Sequence, residues 1–328
     1  YPLTPDAAFL PRPRLSYDPD AVREADSASD DRVEDTDAGR RTRTAARRVA
    51  PSWPAPLATA ALHGVFGDIV RLVDPHTEAD PAALLLQALV AFGNIIGRRP
   101  YFMVGATRHH LNLFTLMVGD TAKARKGTSQ QEIFRFFRPL DEMWASDRVS
   151  SGLSSGEGLI WAVRDPIEKT KPHRAGGAID GYETVIEDHG VEDKRLLVVE
   201  SEFASTLKVL KRDGNTLSPT IRLAWDGGVL NIVTKNSPAK ATGAHISIIG
   251  HITRHELRFV GSDAQNGFAN RFLVACVQRS KFLPDGGCLD EDKIRLIVGR
   301  LRDALQRVTQ REDDARLHWD DQAHALWR

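Results

Sequence analysis

The stretch "LNLFTLMVGDTAKARKGTSQQEIFRFF", residues 111–137, passes from an apolar run through a glycine and a basic, threonine-bearing loop into residues of helical periodicity. Strand, glycine, loop and helix is the order in which a chain builds an anion cradle. Small residues let backbone N–H groups converge, and a helix N-terminus points at the negative charge. Gly119 closes the apolar run. Lys126 is a candidate for the outer phosphates, and Thr128 or Ser129 for a magnesium ligand. The usual Gly-Lys-Ser/Thr ending is absent, and the chain reads Arg125-Lys126-Gly127-Thr128-Ser129 instead. The loop is longer than the standard form, and Ala124 stands where a second glycine is expected. A solvated basic turn after a strand fits the same residues, so the reading needs a second feature.

That feature is a neighbouring strand ending in acids, which holds magnesium and polarises water. "LLVVESE", residues 196–202, meets the demand with Glu200 as the magnesium-side carboxylate and Glu202 as the water-orienting base. Spacing does not say which glutamate takes which role. Charged residues also follow many buried strands for no catalytic reason. A third apolar strand ends "SIIGHIT", residues 247–253, where His251 or Thr253 could touch the attacking water or the γ-phosphate. Asn270-Arg271 precedes a fourth in "NGFANRFLVAC". An arginine there could neutralise charge during phosphoryl transfer, across a subunit boundary if need be. It could equally cap a helix or strand.

Composition sets outer limits. The chain has 328 residues, 41% hydrophobic and 27% charged, enough for one large domain or two small ones. Lys+Arg and Asp+Glu are both 44, so net charge gives no argument for nucleic acid and any basic surface must be local. Cys276 and Cys288 can make neither a disulfide scaffold nor a four-cysteine zinc site, which fits a reducing compartment. No apolar run approaches the ~18–20 residues of a membrane span, and the first residues lack the pattern of a signal peptide. A cytoplasmic protein with no membrane partner is expected.

Residues 1–52 are charged, proline-bearing and nearly free of large apolar side chains, so they read as a linker or tail. Their cluster Arg40, Arg41, Arg43, Arg47 and Arg48 is either a solvated face or a nucleic-acid contact. Residues 53–100 read as a helical segment. One helix runs from Leu57 to Pro75, and a second is buried nearly all round, with Asp80 as N-cap and Pro81 in its first turn. Residues 101–285 alternate apolar strands, "YFMVG" and "LNLFTLMVG" among them, with helices, as a mostly parallel sheet covered on both faces requires. "AGGAIDGYETVIEDHGVED", residues 175–193, reads as an exposed loop or hairpin. Residues 286–328 read as a C-terminal helical segment that stops in mid-pattern, as a fragment would.

The blocks "DPAALLLQALVAFGNIIGR", "VGDTAKARKGTS", "SSGLSSGEGLIWAVRDP", "RLLVVESEFASTLKVL", "LSPTIRLAWDGG", "HISIIGHITRHEL" and "NGFANRFLVACVQRSKFLP" occur in that order from Trp53 onward. Together they resemble a domain-of-unknown-function family of P-loop ATPases from bacteria, phages, plasmids and integrative elements. Its members are often associated with primase-polymerase domains and taken to be replicative-helicase-like motors. The resemblance implies a RecA/AAA+-like P-loop core binding ATP and Mg2+. Gly119, Thr121, Lys126, Gly127 and Thr128 would be nucleotide positions, and Glu200 and Glu202 the acidic strand end. Ser201 stands where a more acidic version has Asp. Asn270 and Arg271 fall in a block that could supply an arginine finger. The favoured reading is a motor that assembles as a homo-oligomeric ring, possibly a hexamer, with DNA held through phosphates by Lys208, Lys211 and Arg212 or by Lys235 and Lys240, side chains that plain surface charge explains as well. A nucleotide-dependent switch or scaffold in plasmid maintenance or phage defence is the alternative. A metabolic kinase has no substrate motif in its favour.

Overall fold

The computed structural model describes residues 53–120, 126–175, 178–232, 239–257, 267–311 and 315–327. The linker expected over residues 1–52 lies outside them. A short 3-10 turn, Thr59–Ala61, leads into α1 (Gly64–Val73). The single helix expected from Leu57 is thus divided, and Gly64 at φ 56° marks the break. Helix α2 (Pro81–Ile96) matches its sequence signals. The Asp80 carboxylate accepts the Ala82 N–H, Pro81 sits in the first turn, and Gly97 closes the helix at φ 73°. Eleven of its sixteen residues are buried.

Strands β1 (Tyr101–Val104) and β2 (Thr107–His110) pair antiparallel with each other. This corrects the placement of "YFMVG" in the central sheet. The turn after Val104, with Gly105 at φ 59°, folds the run back as an outer ribbon before it can enter the core. Then follow β3 (Phe114–Gly119), α3 (Lys126–Phe137), α4 (Glu142–Asp147), β4 (Val149–Ser150) and α5 (Gly156–Trp161). β5 (Ile167–Ala175) and β6 (Ala178–Asp188) form a hairpin, of which the exposed loop or hairpin expected over residues 175–193 holds only the second arm. β7 (Arg195–Glu200), α6 (Phe203–Leu210) and α7 (Leu217–Trp225) are next. A ribbon of β8 (Leu230–Ile232) with β9 (Ala239–Ala241) leads into β10 (His245–Thr253) and α8 (Arg254–Leu257). β11 (Leu273–Cys276), α9 (Glu291–Thr309) and α10 (Asp321–Trp327) complete the chain.

The central sheet has five parallel strands in the order β11-β3-β10-β7-β4. After β3 the chain travels to the far edge at β4, then returns through β7 and β10 to β11. A reversal of direction in a parallel sheet places the crossovers on opposite faces, because each crossover is right-handed. The core divides accordingly. Leu197, Val199 and Ile249 pack with residues of α1, α2, α3, α4 and α9. Leu196, Val198, Ile246, Ile248, Leu116 and Val118 pack with α5, α6 and α7, together with Phe268 and Phe272 from the approach to β11. The protein is therefore α/β, a parallel sheet between two helical layers, as its apolar strands indicated.

One polar node ties the strand N-terminal ends to the layer above. Asn94 of α2 is fully buried. Its Nδ2 donates to the Leu196 and His245 carbonyls, both at 3.1 Å, and to Ser247 Oγ at 3.2 Å. Its Oδ1 accepts the Trp144 indole N–H at 2.8 Å. Gly93 beside it must be glycine, because a Cβ there would stand 2.2 Å from the Leu111 carbonyl oxygen. The His245 Nε2–H donates to the Gly93 carbonyl at 2.7 Å.

Candidate functional site

Ligands of parallel α/β sheets bind beyond the strand C-terminal ends, at the point where neighbouring connections leave toward opposite faces. Here that point lies between β3 and β10. Chain leaving β3 packs α3 on one face, and chain leaving β10 packs Leu257 and Phe268 on the other. Gly119 and Thr253, the last residues of the two strands, are partners in register. Gly250 pairs with Glu200, so Glu200 ends β7 three residues lower, one strand beyond. Two strand spacings and three residue rises separate Gly119 from Glu200 by about 14 Å. The structure therefore brings the ends of "LFTLMVG", "LLVVE" and "SIIGHIT" to one edge, with the histidine strand between the other two.

On the β3 side, Gly119 is buried and Asp120 is exposed. Thr121 lies outside the described residues. Lys126 is described as the first residue of α3, so the helix begins where an anion-binding loop would deliver it. Gly127 and Thr128 are exposed, and a Cβ on Gly127 would meet nothing within 4 Å. Ser129 differs: it is fully buried, and its Oγ accepts from Gln87 Nε2 at 2.7 Å. That contact faces α2, so Thr128 carries the hydroxyl on the open side.

The two glutamates also differ. Glu200 is 8% exposed, and its Oε1 accepts the N–H groups of Gly152 and Leu153, both at 2.7 Å. It thus holds the serine-rich loop that follows β4. Gly152 at φ 91° allows the backbone to turn these amides onto the carboxylate. Among the described residues the Glu200 Oε2 has no partner. Glu202 is exposed at the start of α6, makes no side-chain cap bond, and has no carboxylate partner among the described residues. Like Asp120, it is a carboxylate open at this edge.

His251 is buried on β10, level with Met117. Thr253 caps α8: its Oγ1 donates to Glu256 at 2.8 Å, its N–H to the same carboxylate at 3.1 Å, and Oγ1 accepts the Glu256 N–H at 3.2 Å. This reciprocal capping fixes how the chain leaves the cleft.

Asn270 and Arg271 lie elsewhere. They form a 3-10 turn ahead of β11, whose Leu273 pairs with Thr115, at the sheet's N-terminal edge. Arg271 is six residue rises, about 20 Å, below Gly119. Its guanidinium donates to the Gly267 carbonyl at 2.7 Å and to Asp226 at 3.0 Å. Within one chain it cannot reach the cleft.

Among the described residues no group of three or more His, Cys, Asp and Glu side chains is placed to hold a metal ion. Thr128 and the Glu200 Oε2 are the donors that suit a magnesium ion shared with a phosphate chain, whose own oxygens would complete the shell. Lys208, Lys211 and Arg212 are exposed at the end of α6, and Lys240 is exposed on β9. Lys235 and the arginines of residues 40–48 lie outside the described residues. Both cysteines are free, and no described helix is long and apolar enough to cross a membrane.

Two site features escaped the sequence reading. The Gly152 and Leu153 amides come to Glu200 from the loop after a strand of two residues. Arg254 lies over the Trp53 ring, its guanidinium carbon 5.1 Å from the ring centroid. The only signal for the second was position, since Arg254 directly follows "HIT". No protein-family model matches the chain, and no curated protein matches it.

Proposed function

We propose that the chain is an ATPase motor that acts on DNA, with the nucleotide seated between the ends of β3 and β10. One observation carries the reading: Gly119, Thr253 and the acidic end of β7 share the edge where a parallel sheet takes ligands. In this reading the amides of residues 119–128 and Lys126 hold the phosphates, and the Thr128 hydroxyl and Glu200 Oε2 face the metal. Magnesium bound with the triphosphate would spread the charge that develops on its oxygens. Glu202, exposed and unpaired among the described residues, orients the attacking water and accepts its proton. Glu200 keeps the 150–155 loop against the strand end through Gly152 and Leu153. Arg271 contributes only from a neighbouring copy, after release from Asp226.

DNA-stimulated turnover tests the reading. The parent chain should hydrolyse ATP faster with single-stranded DNA and separate a forked duplex. Glu202→Gln should retain ATP affinity while turnover falls by on the order of 100-fold or more. DNA affinity should fall steeply with salt and depend little on sequence. ATP binding without turnover or strand separation would leave the nucleotide-dependent switch. The double anchoring of Arg271 in its own chain favours that second reading.

A further inference from the structure

Arg254 is the first residue of α8 and follows Thr253, the partner in register of Gly119. It is half-buried, yet among the described residues its guanidinium has neither hydrogen bond nor ion pair. It lies over the face of Trp53, also half-buried. Other arginines around the sheet differ. Arg148 and Arg98 each bond two carbonyls, Arg195 bonds Ile95, Asp141 and Asp193, and Arg271 bonds Asp226. Donors that only solvent satisfies are free to take an incoming acceptor. The Thr253–Glu256 capping box holds the backbone of α8, so the pair is presented from a fixed base.

Indole and guanidinium are both flat, and stacked they make a platform for a flat aromatic ring that carries negative charge nearby. Arg254 follows directly on Thr253, whose backbone is one strand spacing, about 5 Å, from Gly119 at the end of β3. We propose that Trp53 and Arg254 form the base end of the nucleotide site, for a purine nucleoside triphosphate whose phosphates lie beyond the end of β3. This rests on the function proposed above. The base extends the stack on the indole. Arg254 donates to a ring nitrogen, a base carbonyl or the nearest phosphate oxygen. Purines stack over more area than pyrimidines, so ATP and GTP should bind more tightly than CTP.

Calorimetric titration of the full chain with ATP, CTP and inorganic tripolyphosphate, each with magnesium, tests this. Trp53→Ala should weaken ATP by about 5- to 150-fold, the worth of one base–aromatic stack, and erase the preference over CTP. It should leave tripolyphosphate affinity unchanged. Trp53→Phe should restore much of the ATP affinity, and Arg254→Ala should weaken ATP more than tripolyphosphate. An unfolding midpoint for each variant identifies loss of fold. ATP affinity unchanged in a folded Trp53→Ala chain overturns the proposal. So does equal loss of ATP and tripolyphosphate in that chain. If the parent holds tripolyphosphate as tightly as ATP, the base platform fails while the phosphate site stands. If the parent binds neither, the phosphate site fails and the platform with it.

Discussion

The two ends of the central sheet are made from the same five strands and treated in opposite ways. At the N-terminal ends polar groups are locked. Lys194 donates to two carbonyls and Asp165, Arg195 ties α2 to Asp141 and Asp193, and Arg98 holds the Ala244 and Gly227 carbonyls. Asn94 joins β7, β10 and Trp144 in one buried node. At the C-terminal ends Thr128 and Glu202 are exposed, and Arg254 lies over an aromatic face with no hydrogen bond or ion pair among the described residues. A sheet needs its connections pinned at one end to stay rigid while the other is left unfinished for a ligand. The polarity of parallel strands decides which end is which. The pinned end should answer to substitution in stability, and the open end in binding.

The largest effect should come from Asn94→Ala. It removes the bonds to Leu196, His245 and Ser247 and leaves the Trp144 indole N–H buried without an acceptor. Lost hydrogen bonds plus a cavity should cost about 4 kcal/mol of folding stability, read from urea unfolding. A loss below about 1 kcal/mol would mean that the node does not pin the sheet.

His245 makes the same end sensitive to acid. Burial, opposed only in part by the Gly93 carbonyl, lowers its pKa from 6.5 to about 4, and His110, Arg98 and Arg195 nearby add to the lowering. Its Nδ1 is buried without a partner, so a second proton has no acceptor. The folded value lies below the unfolded one, so the unfolded chain binds more protons between the two. The stabilisation from a neutral His245 is complete above about pH 6.5 and is lost as pH falls toward 4. The total is roughly 3 kcal/mol. Urea midpoints measured from pH 7 to pH 4 should decline more in the parent than in His245→Gln. Parallel curves would refute the buried neutral imidazole.

Lys126→Ala carries the test to the open end. ATP affinity should fall on the order of 100-fold, the worth of one charge-assisted hydrogen bond, with the unfolding midpoint unchanged. Retained affinity would make the loop an ordinary turn. A matching loss of stability would erase the contrast between the two ends.

The asymmetry bears on what the chain disclosed in advance. β3, β7 and β10 are legible because strands buried on both faces must be apolar at nearly every position. Their ends are legible too, so Gly119, Glu200 and Thr253 could be placed together. α2 announces itself through Asp80, Pro81 and Gly97. β4 could not be seen, because two residues have no periodicity and exist as a strand only through pairing with β7. "YFMVG" looked central because an apolar run does not record whether the next turn folds it back. Glu200 could be read as acidic, but not as bonded to amides 48 and 47 residues away. Arg271 was legible only in part. Its position before a strand was visible, but that this puts it at the pinned end follows only from the direction of β11.

Arg271 is also where the contrast should show its smallest effect. Its partner Asp226 is 52% exposed, which leaves solvent to screen the pair. Arg271→Ala should therefore cost only about 1 kcal/mol of stability. At about 20 Å below Gly119 it has no path to a nucleotide in its own chain, so ATP affinity at dilute protein concentration should be unchanged. A drop in that affinity would mean that the pinned end shapes the open one, and the division between the two ends would fail. Turnover that falls only at concentrations where copies associate would instead show Arg271 leaving Asp226 for a neighbour's cleft. The locked end of one sheet would then complete the open end of the next, the head-to-tail arrangement that closes into a ring.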